Sequence, residues 1–396
     1  MRLLAFCVCA SSLLAQGGPI VVVDAANGPG TNFVDVQAAV LAAPDGSVLL
    51  VRPGAYAPVT IDGKGVTVLA ESSFTIQGSL SILNTNAQQR VVVRGFVMGG
   101  FGNNVVLSNA AGPVTLDAVG QSLQSHGWGQ TGLIVSDCQQ VVVRNGTVVG
   151  TAYASAACWV TNSSVVFENC ALRGSPSQFT SQGGGPLATP ALVANASTVQ
   201  LVDSSAEGGA GAVFVWIFGP IYLPAAEAVV LQGGSLRATG LATHFIAGGM
   251  HPVQPQSPAI TGSGVARIDP ALLVAGQPTG VALTRPSMPS LLADSAPPGG
   301  VVTVRRTGPA GVLSAVLVSL RAAPSSLPSL PDPIWLDGAG MVVEAAGVTP
   351  ASGALTVTKN VPNNPLLRGF EFVWQSADLD GTGLLAVSNP SPSFVR

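Results

Sequence analysis

The segment Gly132-Leu-Ile-Val-Ser-Asp-Cys-Gln-Gln-Val-Val-Val-Arg-Asn-Gly-Thr-Val-Val-Gly150 recurs in outline at Ala157-Cys-Trp-Val-Thr-Asn-Ser-Ser-Val-Val-Phe-Glu-Asn-Cys-Ala-Leu-Arg-Gly174 and at Ala191-Leu-Val-Ala-Asn-Ala-Ser-Thr-Val-Gln-Leu-Val-Asp-Ser-Ser-Ala-Glu-Gly208. Each copy reads as a short strand, an Asn/Asp turn, a second short strand, a polar bend and a glycine. Anchored on the first apolar residue of the second strand, the repeat runs through Val66, Val91, Val114, Val141, Val165, Val199, Val229 and Val265, in steps of 25, 23, 27, 24, 34, 30 and 36 residues. Strands this short cannot bury a face within one repeat, so successive repeats must stack and pair in parallel. The expected fold is all-β: a parallel β-helix of about eight coils, with loops inserted in the later ones.

Within the anchored strand, positions 114 and 116, 141 and 143, 165 and 167, and 199 and 201 are apolar, as an inward side of period two requires. The opposite side places Arg94, Asp117, Arg144 and Glu168 in one outward file on four successive coils, followed by Val202 and Gln232. Alternating signs at about 4.8 Å per coil read as a ladder of exposed ion pairs, each contributing about 0.2–1 kcal/mol. The same file also admits a catalytic reading. Asp117 and Glu168, two coils and about 9.6 Å apart, lie near the upper end of the roughly 6.5–9.5 Å used by inverting glycosidases. Arg144 between them would hold both carboxylates ionised and leave no obvious proton donor. Asn109, Asp137, Asn162 and Asn195 fall in the turn before the anchored strand, and Asn145, Asn169 and Asp203 in the bend after it. Such residues tolerate left-handed backbone and bond to counterparts one coil away.

The opening of the chain, with Asp24, Phe33-Val-Asp-Val-Gln-Ala-Ala-Val-Leu-Ala-Ala-Pro-Asp-Gly46, Val51-Arg-Pro-Gly-Ala-Tyr56 and Ile61-Asp-Gly-Lys-Gly-Val-Thr-Val68, resembles the N-terminal cap helix and first coil of right-handed parallel β-helix proteins of the pectin lyase-like superfamily, especially their pectinesterase-like starts. The resemblance covers roughly residues 20 to 270. It implies a cap helix and a right-handed solenoid, but no single activity, because that superfamily contains lyases, hydrolases, esterases, epimerases and adhesins. The paired-Asp, Gly-His-Gly and Arg-x-Lys patterns of its hydrolases do not occur at the matching positions, nor does an esterase-like Asp pair with its Gln and Arg.

Composition narrows the partners. Charged residues are 9% of 396 and the net charge is −3, with Lys64 and Lys359 the sole lysines, so the basic footprint of a nucleic-acid binder is missing. Residues 1–15 carry Arg2, an apolar run from Leu3 to Leu14 and Ala15, the form of a secretory signal. After them the longest apolar run is Val213 to Phe218, too short for the roughly 20 residues of a membrane span. The expected location is outside the cell or on its surface. Signal removal takes Cys7 and Cys9 and leaves Cys138, Cys158 and Cys170, read as buried free thiols; their spacing lacks a Cys-x-x-Cys clip for a metal.

Three further features lie in loops. Gln121 to Gln130 is a Gly-rich excursion with His126 and Trp128, candidate sugar contacts beside Arg94, although an exposed turn is the plainer reading. Gly208 to Pro224 is the most apolar insert and is expected to be buried against the stack. His244 and His251 flank Gly248-Gly249 without a third ligand at a recognisable spacing.

From Ala271 no further coil aligns, and prolines 278, 286, 289, 297 and 298 mark an expected linker over 271–298 between a β-helix domain (16–270) and a C-terminal domain (299–396). Six short strands, Val301–Arg306, Val312–Leu320, Met341–Glu344, Ala354–Thr358, Phe370–Gln375 and Leu384–Ser388, predict a small antiparallel β-sandwich. Asp378-Leu-Asp-Gly-Thr-Gly383 imitates a calcium loop but has Asn389 at the twelfth position, so it reads as a hairpin; calcium is supported by no motif and no cofactor is expected. Two functions follow. One is a secreted, non-catalytic β-helix binding polysaccharide or cell-surface partners. The alternative is a divergent carbohydrate-active enzyme, a polysaccharide hydrolase, lyase or esterase, using Asp117, Arg144 and Glu168.

Overall fold

The computed structural model describes residues 18–396 except 100–102, 119–121, 125–130, 179–184, 217–218, 326–329, 331 and 381–382. The proposed signal, His126 and Trp128 lie outside the described residues. The chain divides into two compact units, one of Val22–Ala42 and Val51–Pro286, the other of Ser287–Arg396 with the short segments 18–21 and 43–50.

The first unit is a parallel β-helix. Its first sheet stacks Val59–Asp62, Leu80–Leu83, Val105–Ser108, Leu133–Ser136, Cys158–Thr161 and the first halves of Leu192–Val202, Val229–Thr239 and Ile260–Ile268, all in parallel. The second sheet stacks Val91, Val114, Val141, Val165, Val199 and Leu236 in register. The third runs through Ser122–Gln124, Thr147–Val149, Ala171–Arg173, Ser205–Glu207, Phe245–Ala247 and Leu273–Ala275. Inward positions close a dry interior. Leu80, Ile82, Leu107, Leu133, Val141, Val143, Val165, Phe167, Leu192 and Leu201 are all within 0% exposure, and each such side chain contributes about 1.5–3 kcal/mol.

The corners explain why short strands suffice. Asn109, Asp137 and Asn162 at the first corner, and Asn145, Asn169 and Asp203 at the second, all adopt positive φ, which Asn and Asp tolerate better than other side chains. Their amides then bond along the stack: Asn84 to Asp62 (2.9 Å), Asn109 to Asn84 (3.3 Å), Asn162 to Asp137 (3.2 Å), and at the second corner Asn145 to Asp117 and Asn169 to Asn145 (3.0 Å each). In the coil of Asn195 it is Ala196 that takes the left-handed corner.

Two coils depart from the expected register. In the later one, Val265 pairs with Ser235, one residue short of Ala266, which holds the second-sheet position opposite Leu236. In the earlier one, Val229 pairs with Leu192 on the first sheet, and the second-sheet position is Leu236; Gln232 accordingly pairs with Asn195, not with the charged file. The corner there is Gly233-Gly234, both at positive φ, and a Cβ on Gly234 would stand 2.1 Å from the Ser197 carbonyl oxygen. Glycine replaces Asn at this corner, where a side chain on Gly234 would meet the neighbouring backbone, and that hides the corner from an Asn/Asp search.

Helix Val36–Ala42 buries Val36, Ala39 and Val40, and its carbonyls at Val40 and Leu41 accept from Lys64 Nζ (2.8 and 2.7 Å). Asp24 accepts from Arg52 Nη1 (2.9 Å) and from the backbone N–H of Ala26 and Gly28, so its carboxyl sits below the ordinary Asp value, chiefly through the Arg52 hydrogen bond. Cys138, Cys158 and Cys170 are free and buried, and burial pushes the Cys170 thiol up to about 12.

The expected linker holds strands instead. Leu273–Ala275 and Ala282–Thr284 pair onto the solenoid, and Ser290–Ala293 pairs with Val301–Thr307 in the second unit, because proline at a strand end costs no ladder bond. That unit is a sandwich of a three-stranded sheet (290–293, 301–307, 354–360) and a five-stranded sheet around Leu313–Ser319 and Glu371–Asp380. Leu291, Val304, Val316, Phe370 and Trp374 share its core. Asp380 pairs with Gly383 across the hairpin, and Asp378 is buried against Arg306 Nη2 (2.5 Å) and Ser314 Oγ (2.8 Å).

Candidate functional site

Arg94, Asp117, Arg144 and Glu168 do stand in single file, each opposite the next in the parallel register. Their environment is not the exposed ladder that alternation suggests. Asp117 is 1%, Arg144 4% and Glu168 0% exposed. Asp117 accepts from Arg94 Nη1 through one oxygen and from Asn145 through the other, and Arg144 Nε lies 3.7 Å from Glu168 Oε2. The neighbouring outward file, Val92, Thr115, Val142, Val166, Gln200 and Arg237, is equally closed to solvent. Charges placed so deep persist only when paired, and these are paired along the file.

The first sheet presents a different outward side. Val106, Ile134, Trp159, Val193 and Val230 stand opposite one another on five successive coils. All but Val193 are half-buried rather than covered. Two residues further along the strands, Ser108, Ser136, Thr161, Asn195 and Gln232 form a parallel polar file. Ser136 Oγ donates to Ser108 Oγ (3.1 Å), and the Trp159 indole N–H donates to Thr161 Oγ1 (3.0 Å), which ties the ring to its own strand. The result is an apolar stripe with one oriented aromatic ring, edged by hydroxyls and amides. The repeat anchored on the second strand does not single out this one. Val105-Val-Leu107, Leu133-Ile-Val135, Cys158-Trp-Val160 and Leu192-Val-Ala194 show in sequence that these outward positions are apolar, but not that they are open, since Val141-Val-Val143 reads the same on the closed sheet.

The remaining candidates resolve differently. The apolar insert forms an antiparallel hairpin of Ala212–Trp216 with Gly219–Leu223; Val213 and Phe214 are half-buried, and Ile221 and Tyr222 on the second strand are 38% and 46% exposed. His251 Nδ1 accepts backbone N–H bonds from Val253 and Gln254 (3.2 and 2.9 Å), while His244 Nδ1 lies 3.7 Å from Asp203 Oδ1, so the two histidines serve separate loops. Among the described residues no cluster of three His, Cys, Asp or Glu is placed to hold a metal, and no helix is long and apolar enough to cross a membrane.

The strand register alone carries the fold assignment. No family model matches the chain, and no curated protein does. Among solved structures it is similar to the enzymatically active domain of tailspike protein 2 of bacteriophage CBA120, at 10% sequence identity and a TM-score of 0.31, over 92% of this chain and 76% of that one.

Proposed function

We propose that this protein is an exported, non-catalytic β-helix of the pectin lyase-like kind that binds polysaccharide at the cell surface or outside the cell. The observation that carries the reading is the outward side of the first sheet. Contiguous apolar surface edged by polar groups on a rigid frame is the usual character of a binding surface, and Trp159 with its fixed ring offers the stacking face that a pyranose needs. The burial of the charged file supports the non-catalytic part of this reading. Asp117 and Glu168 meet no solvent and are held beside Arg94 and Arg144, whereas a general acid or base must reach its substrate. The apolar run of residues 1–15 supports export.

Incubating the full chain with a panel of polysaccharides, and reading both retention and released reducing ends, tests this. Retention of at least one glycan without product is expected. Product release that disappears in Asp117→Asn, with the fold retained by circular dichroism, overturns the non-catalytic reading.

A further inference from the structure

We infer that the ligand of the first-sheet face is a neutral polysaccharide of equatorially substituted pyranoses, lying along the solenoid axis, and not a uronan. The inference rests on the reading of that face as a glycan site and goes on to name the class of glycan. From Ser81 to Ser263 the outward positions of the first sheet are Ser81, Val106, Ile134, Trp159, Val193, Val230 and Thr261 in one file, and Leu83, Ser108, Ser136, Thr161, Asn195, Gln232 and Ser263 in the other. None of these side chains ionises.

A uronan carries a carboxylate on every sugar and is read by cations, above all by the guanidinium fork. The cations available nearby are committed elsewhere. Arg94, Arg144 and Arg237 are on the second sheet, the latter two buried, and Arg94 is bound to Asp117. Exposed Arg173 belongs to the third sheet, and Lys64 is held by the cap-helix carbonyls. The charges that do border the face are exposed carboxylates, Asp62 and Asp137, each accepting an amide from the next coil. They repel a polyanion.

A neutral chain meets the opposite situation. Equatorial substitution leaves its axial C–H groups as two apolar faces, which match the Val/Ile/Trp stripe, while its hydroxyls meet Ser, Thr, Asn and Gln at the edge. The open part of the stripe runs from Val106 to Trp159, two inter-coil steps of about 4.8 Å or roughly 10 Å in all, the span of a disaccharide, and Val230 reopens it beyond the covered Val193. The ring of Trp159 is already oriented by Thr161, so little ordering remains to be done on binding.

Affinity electrophoresis of the full chain in gels containing hydroxyethyl cellulose or polygalacturonate tests the inference, with Trp159→Ala and Trp159→Phe alongside and thermal melts as a fold control. Retardation by the neutral polymer is expected, unchanged by added salt, weakened about tenfold in Trp159→Ala and largely restored in Trp159→Phe. Retardation by polygalacturonate that fades with salt overturns this inference and leaves polysaccharide binding standing. Retardation by neither polymer, with binding to some other glycan in the panel, overturns the neutral pyranose assignment, and binding to no glycan at all removes the underlying reading. Neutral binding untouched in a folded Trp159→Ala overturns the placement on this face.

Discussion

Two outward faces of one solenoid, separated by a single corner, differ in a way that reverses the usual guess about function. The second sheet carries the charges, Arg94, Asp117, Arg144 and Glu168, and is dry; the first carries hydroxyls, amides and an indole, and is partly wet. Charged side chains attract attention as a site, yet here Asp117, Arg144 and Glu168 are closed from solvent. The neutral face has no ionisable outward side chain from Ser81 to Ser263, and it is the one proposed to meet a ligand.

Replacement on the dry face breaks the comparison most directly. Glu168→Gln leaves Arg144 buried beside a neutral partner and should cost about 3–5 kcal/mol, read as a lower denaturant midpoint, whereas Trp159→Ala on the wet face should cost about 1 kcal/mol. Equal costs would erase the distinction. The corner that joins the second and third sheets comes next. Asn145→Ala loses its bonds to Asp117 and Asn169 and forces alanine into a left-handed backbone, for about 2–3 kcal/mol. Asn145→Gly should recover the backbone share, and no recovery would mean that the amide ladder alone matters.

On the wet face, Thr161→Ala releases the indole without removing it. Glycan affinity should fall by about 0.5–1.5 kcal/mol, with stability unchanged, and an unaffected affinity would show that the ring needs no anchoring. The smallest effect belongs to acid. Asp24 is held below its ordinary value of 3.8 by Arg52, so its contribution to stability is present above that value and drains away as the pH falls through the lowered one. Asp24→Asn should therefore narrow the stability gap between neutral and strongly acidic buffer. A gap of unchanged width would exclude Asp24 as its source.

Much of the fold was legible because a stacked solenoid writes itself as a period. Val91, Val114, Val141, Val165 and Val199 fall in one register, and the Asn/Asp corners at 109, 137, 145, 162, 169 and 203 all take the left-handed backbone that their side chains tolerate. The period does not place Val229, because Gly233-Gly234 turns that corner with no side chain to mark it, or Val265, which pairs with Ser235; and at 271–298 prolines at strand ends resemble a linker.

Period and register, then, were determined by the amino-acid order, since they depend on local backbone preference and on which residues recur one coil apart. The burial of each outward face was decided only in three dimensions. Val142 and Ile134 lie in triplets that read alike, Val-Val-Val and Leu-Ile-Val, and yet Val142 is closed from solvent and Ile134 is not. Strand alternation fixes which way a side chain points, but solvent exposure depends on what the rest of the chain lays over it, and no local pattern encodes that.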